Sequence, residues 1–253
     1  VGAAGFRKKT PGVPPPPPRP ASPLRSSHNS SAQRMFTRIA GRYDLMNRLM
    51  SAGQDLRWRR RAAQAAGLRP GDRLLDVAAG TGDMVSIAQS LVPNLEVVAA
   101  DFTMEMMRVG RQRTNARPAG WTGADTYALP FPSSLFDAIT SAFLLRNLTD
   151  PLAGLREQVR VLKPGGRLVA LDATPPPDNL LRPFINLYLN RLIPLLGGII
   201  SGKPEAYRYL PNSIANFLRP EAIAHLFRQA GLQNVYHRSF MFGAAALVVG
   251  TKP

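Results

Sequence analysis

The stretch Arg73-Leu-Leu-Asp-Val-Ala-Ala-Gly-Thr-Gly-Asp83 constrains this chain more than any other. A short apolar run follows the Pro70-Gly71-Asp72 turn, glycines stand at 80 and 82, and a helix-like segment continues to about Val92. A strand that passes through a glycine turn into a helix is the opening unit of a parallel α/β sheet, because parallel strands need a crossover connection. The alternation then repeats. Residues 96–100 read as a second buried strand ending at Asp101, and residues 103–114 as its helix, with Thr103 as N-cap. Residues 136–143 read as a further strand and residues 150–162 as a helix. Lys163-Pro-Gly-Gly166 stops that helix, and a strand resumes over 167–173. The pattern predicts an α/β fold with a mostly parallel sheet and helices on both faces.

The flanking segments read differently. Residues 1–30 hold the run Pro14 to Pro18 and are expected to be a disordered, Pro-rich basic tail. Residues 31–70 are helical in character, with Met35, Phe36, Ile39, Tyr43, Met46, Leu49 and Met50 at three- and four-residue steps. Gly41 and Gly53 divide them into two or three short helices. Residues 175–215 break the β/α rhythm with Pro175-Pro176-Pro177, an apolar helical stretch, Gly197-Gly198 and Tyr207-Arg-Tyr209. They read as a helical cap inserted over the open end of the sheet. A helix over 219–230 and a hairpin of 235–242 with 244–250 close the chain. With 253 residues and 45% hydrophobic content, one domain over 31–253 is the expectation.

Charge and composition narrow the function classes. Fourteen Lys/Arg against Asp44 and Asp55 put residues 1–70 at +12 of the chain's formal +16. Such a segment suits an anionic membrane surface, nucleic acid phosphates or plain solvation. No Cys is present and the three His are scattered, so a disulfide framework, a thiolate nucleophile and a metal site are not expected. The apolar stretches 192–200 and 243–250 are too short for the roughly 18 residues of a membrane span. The prolines of the basic start spoil the amphipathic helix of a transit peptide, so a cytoplasmic location is preferred to the mitochondrial matrix.

Ligands of open α/β sheets bind at the carboxyl ends of the strands. Gly80 and Gly82 would bring backbone N–H groups close to such a ligand, although a strand-to-helix turn needs none. Asp101 adds a carboxylate that can accept from ribose hydroxyls. After Gly82 the third glycine of a dinucleotide fingerprint is missing, since Asp83, Met84 and Val85 follow. Asp76-x-x-x-Gly80-x-Gly82 with an acid ending the next strand instead resembles the pattern of S-adenosyl-L-methionine (SAM)-dependent methyltransferases. The likeness extends through Phe36-x-x-Ile-Ala-x-x-Tyr43-Asp44-x-Met46-Asn47-x-Leu49-Met50-Ser51, Trp58, Gly80 to Asp83, Ala128-Leu-Pro-Phe-Pro132, Leu145-Arg-Asn147, Val161-Leu-Lys-Pro-Gly-Gly166 and Tyr207-x-Tyr209-Leu210. In that order these segments resemble the C-methyltransferase family of ubiquinone and menaquinone biosynthesis.

The resemblance implies a Rossmann-like class I fold with a seven-stranded sheet, SAM as cofactor, and methylation of a ring carbon of a prenylated quinol. By position it places the cofactor on Asp76, Gly80, Thr81, Gly82, Asp101, Phe102, Asp125 and Thr126. A family serine is Ala142 here, and Asp125-Thr126 replaces the commoner Asn/Asp-Ala pair. Arg146 is the candidate for stabilising the acceptor's phenolate, with Asn147 holding it and Tyr207 and Tyr209 orienting the ring; Tyr43 is expected to close the other side. Asp172 is a candidate proton acceptor or a structural acid. The tyrosines also read as ordinary amphipathic core residues. The partners implied are the quinol and, through the basic Arg57 to Arg61 cluster, the inner face of a membrane. No nucleic acid partner is expected, and a homodimer or a biosynthetic complex is open. An RNA methyltransferase and a noncatalytic scaffold of the same fold are the competing readings.

Overall fold

A computed structural model describes residues 37, 40–113, 118–175, 187, 188, 191 and 213–253. Seven strands form one sheet: β1 (Arg73–Val77), β2 (Glu96–Asp101), β3 (Gly120–Gly123), β4 (Phe136–Ala142), β5 (Leu162–Ala173), β6 (Gln233–Phe240) and β7 (Ala245–Thr251). Their order is β3-β2-β1-β4-β5-β7-β6. β3, β2, β1, β4 and β5 run parallel, and β7 lies antiparallel between β5 and β6. Chain order reverses between β1 and β4, where such a sheet opens a crevice. This is the Rossmann-like class I arrangement expected from the sequence.

Six α-helices accompany the sheet among the described residues: α1 (Tyr43–Met50), α2 (Gln54–Ala65), α3 (Asp83–Leu91), α4 (Met104–Arg111), α5 (Pro151–Val161) and α6 (Pro220–Gln229). The period-two alternation of the strands sorts them onto two faces. Leu74, Ala138, Val169, Leu247 and Val249 bury against Trp58, Ala62 and Ala63 of α2 and Met84, Val85 and Ala88 of α3. Their neighbours Leu75, Ile139, Leu168, Ala170 and Val248 bury against Leu155 of α5 and Ile223, Ala224 and Phe227 of α6. Gly53, at φ 75, separates α1 from α2 in the left-handed region that favours glycine.

Three local readings are corrected. Lys163-Pro-Gly-Gly166 does not lie outside the strand: β5 begins at Leu162, paired with Phe136, and the register jumps to Arg167 opposite Ala138. The helix therefore ends one residue before strand pairing begins, and the glycines form an irregularity inside the strand. Thr103 precedes α4, but its hydroxyl makes no capping bond; Asp101 takes over the helix entry by accepting from the Thr103 N–H at 2.7 Å. The edge strand β3 escaped the sequence reading because its four residues, Gly-Trp-Thr-Gly, carry no alternation. Residues 1–30, Met35, Phe36 and Ile39 lie outside the described residues, as do Tyr207, Tyr209 and most of the expected cap.

Candidate active site

A solvent-open pocket lies where β1, β2 and β4 end. Its floor is Val77, Ala78 and Gly80 from the glycine turn and Ala142 and Phe143 from the end of β4; Tyr43, at the start of α1, reaches its wall. Ala78 and Phe143 have φ of 58° and 62°. Left-handed backbone at non-glycine residues costs on the order of 1–3 kcal/mol each and collects at sites whose surroundings over-determine it. Phe143 is held on both sides: its N–H donates to the Leu171 carbonyl at 2.7 Å and its carbonyl accepts from Asn147 Nδ2 at 2.8 Å.

Gly80 and Gly82 both have positive φ, 58° and 84°. The turn they permit directs the Gly80 N–H to Asp101 Oδ2 at 2.7 Å. Burial raises the Asp101 pKa, against the lowering effect of the Thr103 and Gly80 N–H groups. Each carboxylate oxygen thus has one backbone donor and keeps lone-pair capacity toward the pocket that it lines, as ribose hydroxyls require. Phe102 and Asp125 line the same space, with Phe102 partly exposed at the mouth. Asp125 Oδ1 also accepts from the Tyr127 N–H at 3.0 Å, an Asx turn. Thr126 lines the pocket with its buried Oγ1 unpartnered, an orphan that a polar ligand edge would satisfy. These donors and acceptors fit a nucleoside.

One face of α5 sets that loop. The Asp150 N–H, at its N-cap, donates to Tyr127 Oη at 3.0 Å. A Cβ at Gly154 would stand 2.7 Å from Leu148 Cδ1, which would have to shift, and in ordinary contact with Thr126 Cγ2 at 3.7 Å. Glu157 accepts from the Leu129 N–H at 2.8 Å, and Arg160 donates to the Leu129 and Phe131 carbonyls at 3.0 and 2.9 Å.

Other expected residues sit below or beside the pocket. Asp76 is buried in β1, outside the lining, and accepts from Thr140 Oγ1 at 2.8 Å. Its pKa is pushed up to about 7 by burial, against the Thr140 hydrogen bond and the charge of Arg59. Thr81 is buried too, with its hydroxyl donating to Asp44 Oδ1 at 2.7 Å. Arg146 forms a buried ion pair with Asp172, and its backbone N–H donates to the same carboxylate at 3.2 Å. Asp172, not Asn147, holds this arginine; Asn147 lines the pocket and pins Phe143.

The N-terminal helices are joined to the glycine turn by a chain of alternating charges that the sequence reading missed. Asp44 pairs with Arg113, Arg113 with Asp83 at 3.0 Å, Asp83 with Arg48 at 2.7 Å, and Arg48 with Asp55. A signal was present: Asp44 and Asp55 are the only acids of the first seventy residues, and both are used here.

The match with known proteins covers the whole described fold. The model of the ubiE/COQ5 methyltransferase family fits residues 24–252. A demethylmenaquinone methyltransferase of Thermus thermophilus is 46% identical over 221 residues, spanning 87% of this chain and 100% of that protein. The ubiquinone/menaquinone biosynthesis C-methyltransferase UbiE of Desulfotalea psychrophila is 41% identical, over 89% of this chain and 92% of its own. Among solved structures, a SAM-dependent methyltransferase of Thermotoga maritima superposes with a TM-score of 0.61 at 18% identity, covering 87% of this chain and 99% of that one. A sheet with this strand order, a glycine turn facing a strand-end carboxylate, and full-length relatives all converge, and the chain belongs to the ubiE/COQ5 methyltransferase family.

Proposed function

We propose that the chain transfers the methyl group of SAM to a ring carbon of a prenylated quinol, demethylmenaquinol or the corresponding benzoquinol. Bound SAM supplies an electrophilic methyl on its sulfonium; the protein's task is alignment, exclusion of water and stabilisation of charge on the acceptor. Asp101 orients the ribose, and Asp125 and Thr126 meet the adenine edge. A quinol carbon becomes nucleophilic when the neighbouring hydroxyl gives up its proton. Arg146 stays protonated and stabilises the resulting phenolate, while Asp172 keeps its guanidinium in place. The observation that carries this reading is the buried Arg146–Asp172 pair, whose guanidinium carbon lies 5.1 Å from the centroid of the pocket-wall ring Phe143.

The isoprenoid tail ties the reading to a membrane. On α2 the exposed side chains Leu56, Arg57, Arg60, Arg61 and Gln64 share one face, and Leu45 of α1 is 50% exposed. Arginines beside protruding leucines suit anionic lipid. Arg59 is the exception in that cluster, since it turns inward. No described helix is long and apolar enough to cross a membrane. Co-sedimentation with vesicles should rise with anionic lipid content; binding independent of that content removes the membrane contact.

The deciding assay offers labelled SAM with reduced demethylmenaquinone, a demethylated ubiquinol precursor and bulk RNA in parallel. Label on one quinol, lost in an Arg146 variant, is the expected result. Label on RNA alone, or on nothing despite cofactor binding, overturns the substrate.

A further inference from the structure

SAM carries a carboxylate as well as an adenosine, and among the described residues the pocket wall contains no Lys or Arg. Asp101 and Asp125 supply negative charge to that wall, which suits ribose and adenine donors and repels a carboxylate. Four arginines lie beneath or beside the glycine turn. Arg48 and Arg113 each bind two carboxylates, and Arg146 is bound by Asp172. Arg59, like Arg146, leaves its Nε unpartnered and approaches the Phe143 ring, but among the described residues it has no carboxylate within hydrogen-bonding distance.

The Arg59 side chain is only 7% exposed, and Asp55 Oδ2 lies 3.8 Å from its Nε, beyond hydrogen-bonding distance. Asp55 is in any case taken by Arg48 and by Ser51 Oγ at 3.0 Å. Nε of Arg59 has no hydrogen-bond partner at all. With a carboxylate only at 3.8 Å and the Phe143 ring beneath it, this buried guanidinium retains capacity for a closer anion.

Its location says what that is. The Arg59 guanidinium carbon lies 5.1 Å from the centroid of the Phe143 ring, which lines the pocket at the end of β4. Its charge also acts on Asp76, two residues before Ala78 in the turn. Arg59 therefore stands between the ends of β1 and β4, the two strands that flank the switch point of the sheet. It reaches that position from α2, an element outside the β/α core.

We propose that Arg59 is the counter-ion for the carboxylate of the methionyl half of SAM, reaching it past the edge of Phe143. The inference depends on the cofactor and is independent of the acceptor's identity. It divides the cofactor site by chemistry: acids of the core hold the nucleoside, and one arginine of the N-terminal helices holds the amino acid.

Titration calorimetry with S-adenosylhomocysteine and 5′-methylthioadenosine tests it, because the second ligand keeps the nucleoside and thioether but lacks the amino-acid group. Arg59→Gln should weaken S-adenosylhomocysteine by about tenfold or more while methylthioadenosine changes less than about twofold. Arg59→Lys should fall between. Equal losses on both ligands, or no loss on either, overturn the assignment, as does a raised acceptor KM with intact S-adenosylhomocysteine affinity. Should the Gln variant not fold, wild-type protein decides: the methyl ester of S-adenosylhomocysteine must bind about tenfold or more weaker than the acid, and equal binding overturns the proposal.

Discussion

Asp76→Asn should stabilise the folded chain at alkaline pH and leave it nearly unchanged in acid. Burial moves this carboxyl from 3.8 to about 7 in the folded chain. Between those values the unfolded chain releases the proton and the folded chain retains it. The folded state then binds more protons, so the wild type loses stability as pH rises from about 4 to about 7. At about 1.4 kcal/mol per pH unit, the full window of roughly three units sets a ceiling of about 4 kcal/mol above pH 7. Asparagine keeps an Oδ1 that accepts from Thr140 and never ionises. Urea unfolding at pH 4.5 and pH 8 measures the difference: the variant should exceed the wild type by about 2–4 kcal/mol at pH 8 and by no more than about 1 kcal/mol at pH 4.5. A difference of the same size at both pH values would refute the reasoning, because a packing effect has no reason to follow this titration.

Arg146→Met leaves Asp172 as an uncompensated buried carboxylate and should cost about 3–5 kcal/mol in thermal unfolding. Adding Asp172→Asn should return most of that, and the double variant, folded but without methyl transfer, is the proper activity control. Arg113→Gln cuts the charge chain between Asp44 and Asp83; at 34% side-chain exposure it should cost no more than about 1 kcal/mol globally, yet speed hydrogen exchange in α1, and unchanged exchange there would show that these charges do not hold α1 to the glycine turn. Gly110→Ala places a Cβ 2.4 Å from Trp121 Cη2 and 3.1 Å from the Thr81 carbonyl carbon. The overpacking should cost about 1–3 kcal/mol and change Trp fluorescence, since either the indole or the glycine turn must yield.

Local patterns in the sequence were enough for the core of this fold. Leu74-Leu75 followed by Gly80 and Gly82 defined β1 and its turn, and apolar runs near residues 96 and 136 defined its neighbours, because buried parallel strands need continuous hydrophobic text. Asp101 was legible for the same reason: it ends a strand. Pairings that join distant segments were not. Nothing local in Asp44, Asp83 and Arg113 announces that they meet, and Glu157 with Arg160 reads as an ordinary surface pair until α5 is laid against residues 126–131. Arg59 belongs by sequence to the Arg57 to Arg61 cluster assigned to a membrane face, since one inward arginine among four on a helix changes composition by nothing. Its burial follows from α2 lying on the sheet at Trp58 and Ala62, which turns the face carrying Arg59 toward Phe143 at the end of β4.

The left-handed backbone at Ala78 and Phe143 bears on how the site keeps its shape. Glycine would relax the backbone at Ala78, whereas at Phe143 the same relief would be outweighed by loss of a ring packed against the core. A glycine at 143 would also remove the ring that two guanidinium groups approach, and one at 78 would loosen the turn before ligand arrives. Backbone strain at these two strand ends is held in place by packing and hydrogen bonds of the folded chain, so the binding surface is already shaped when the cofactor reaches it.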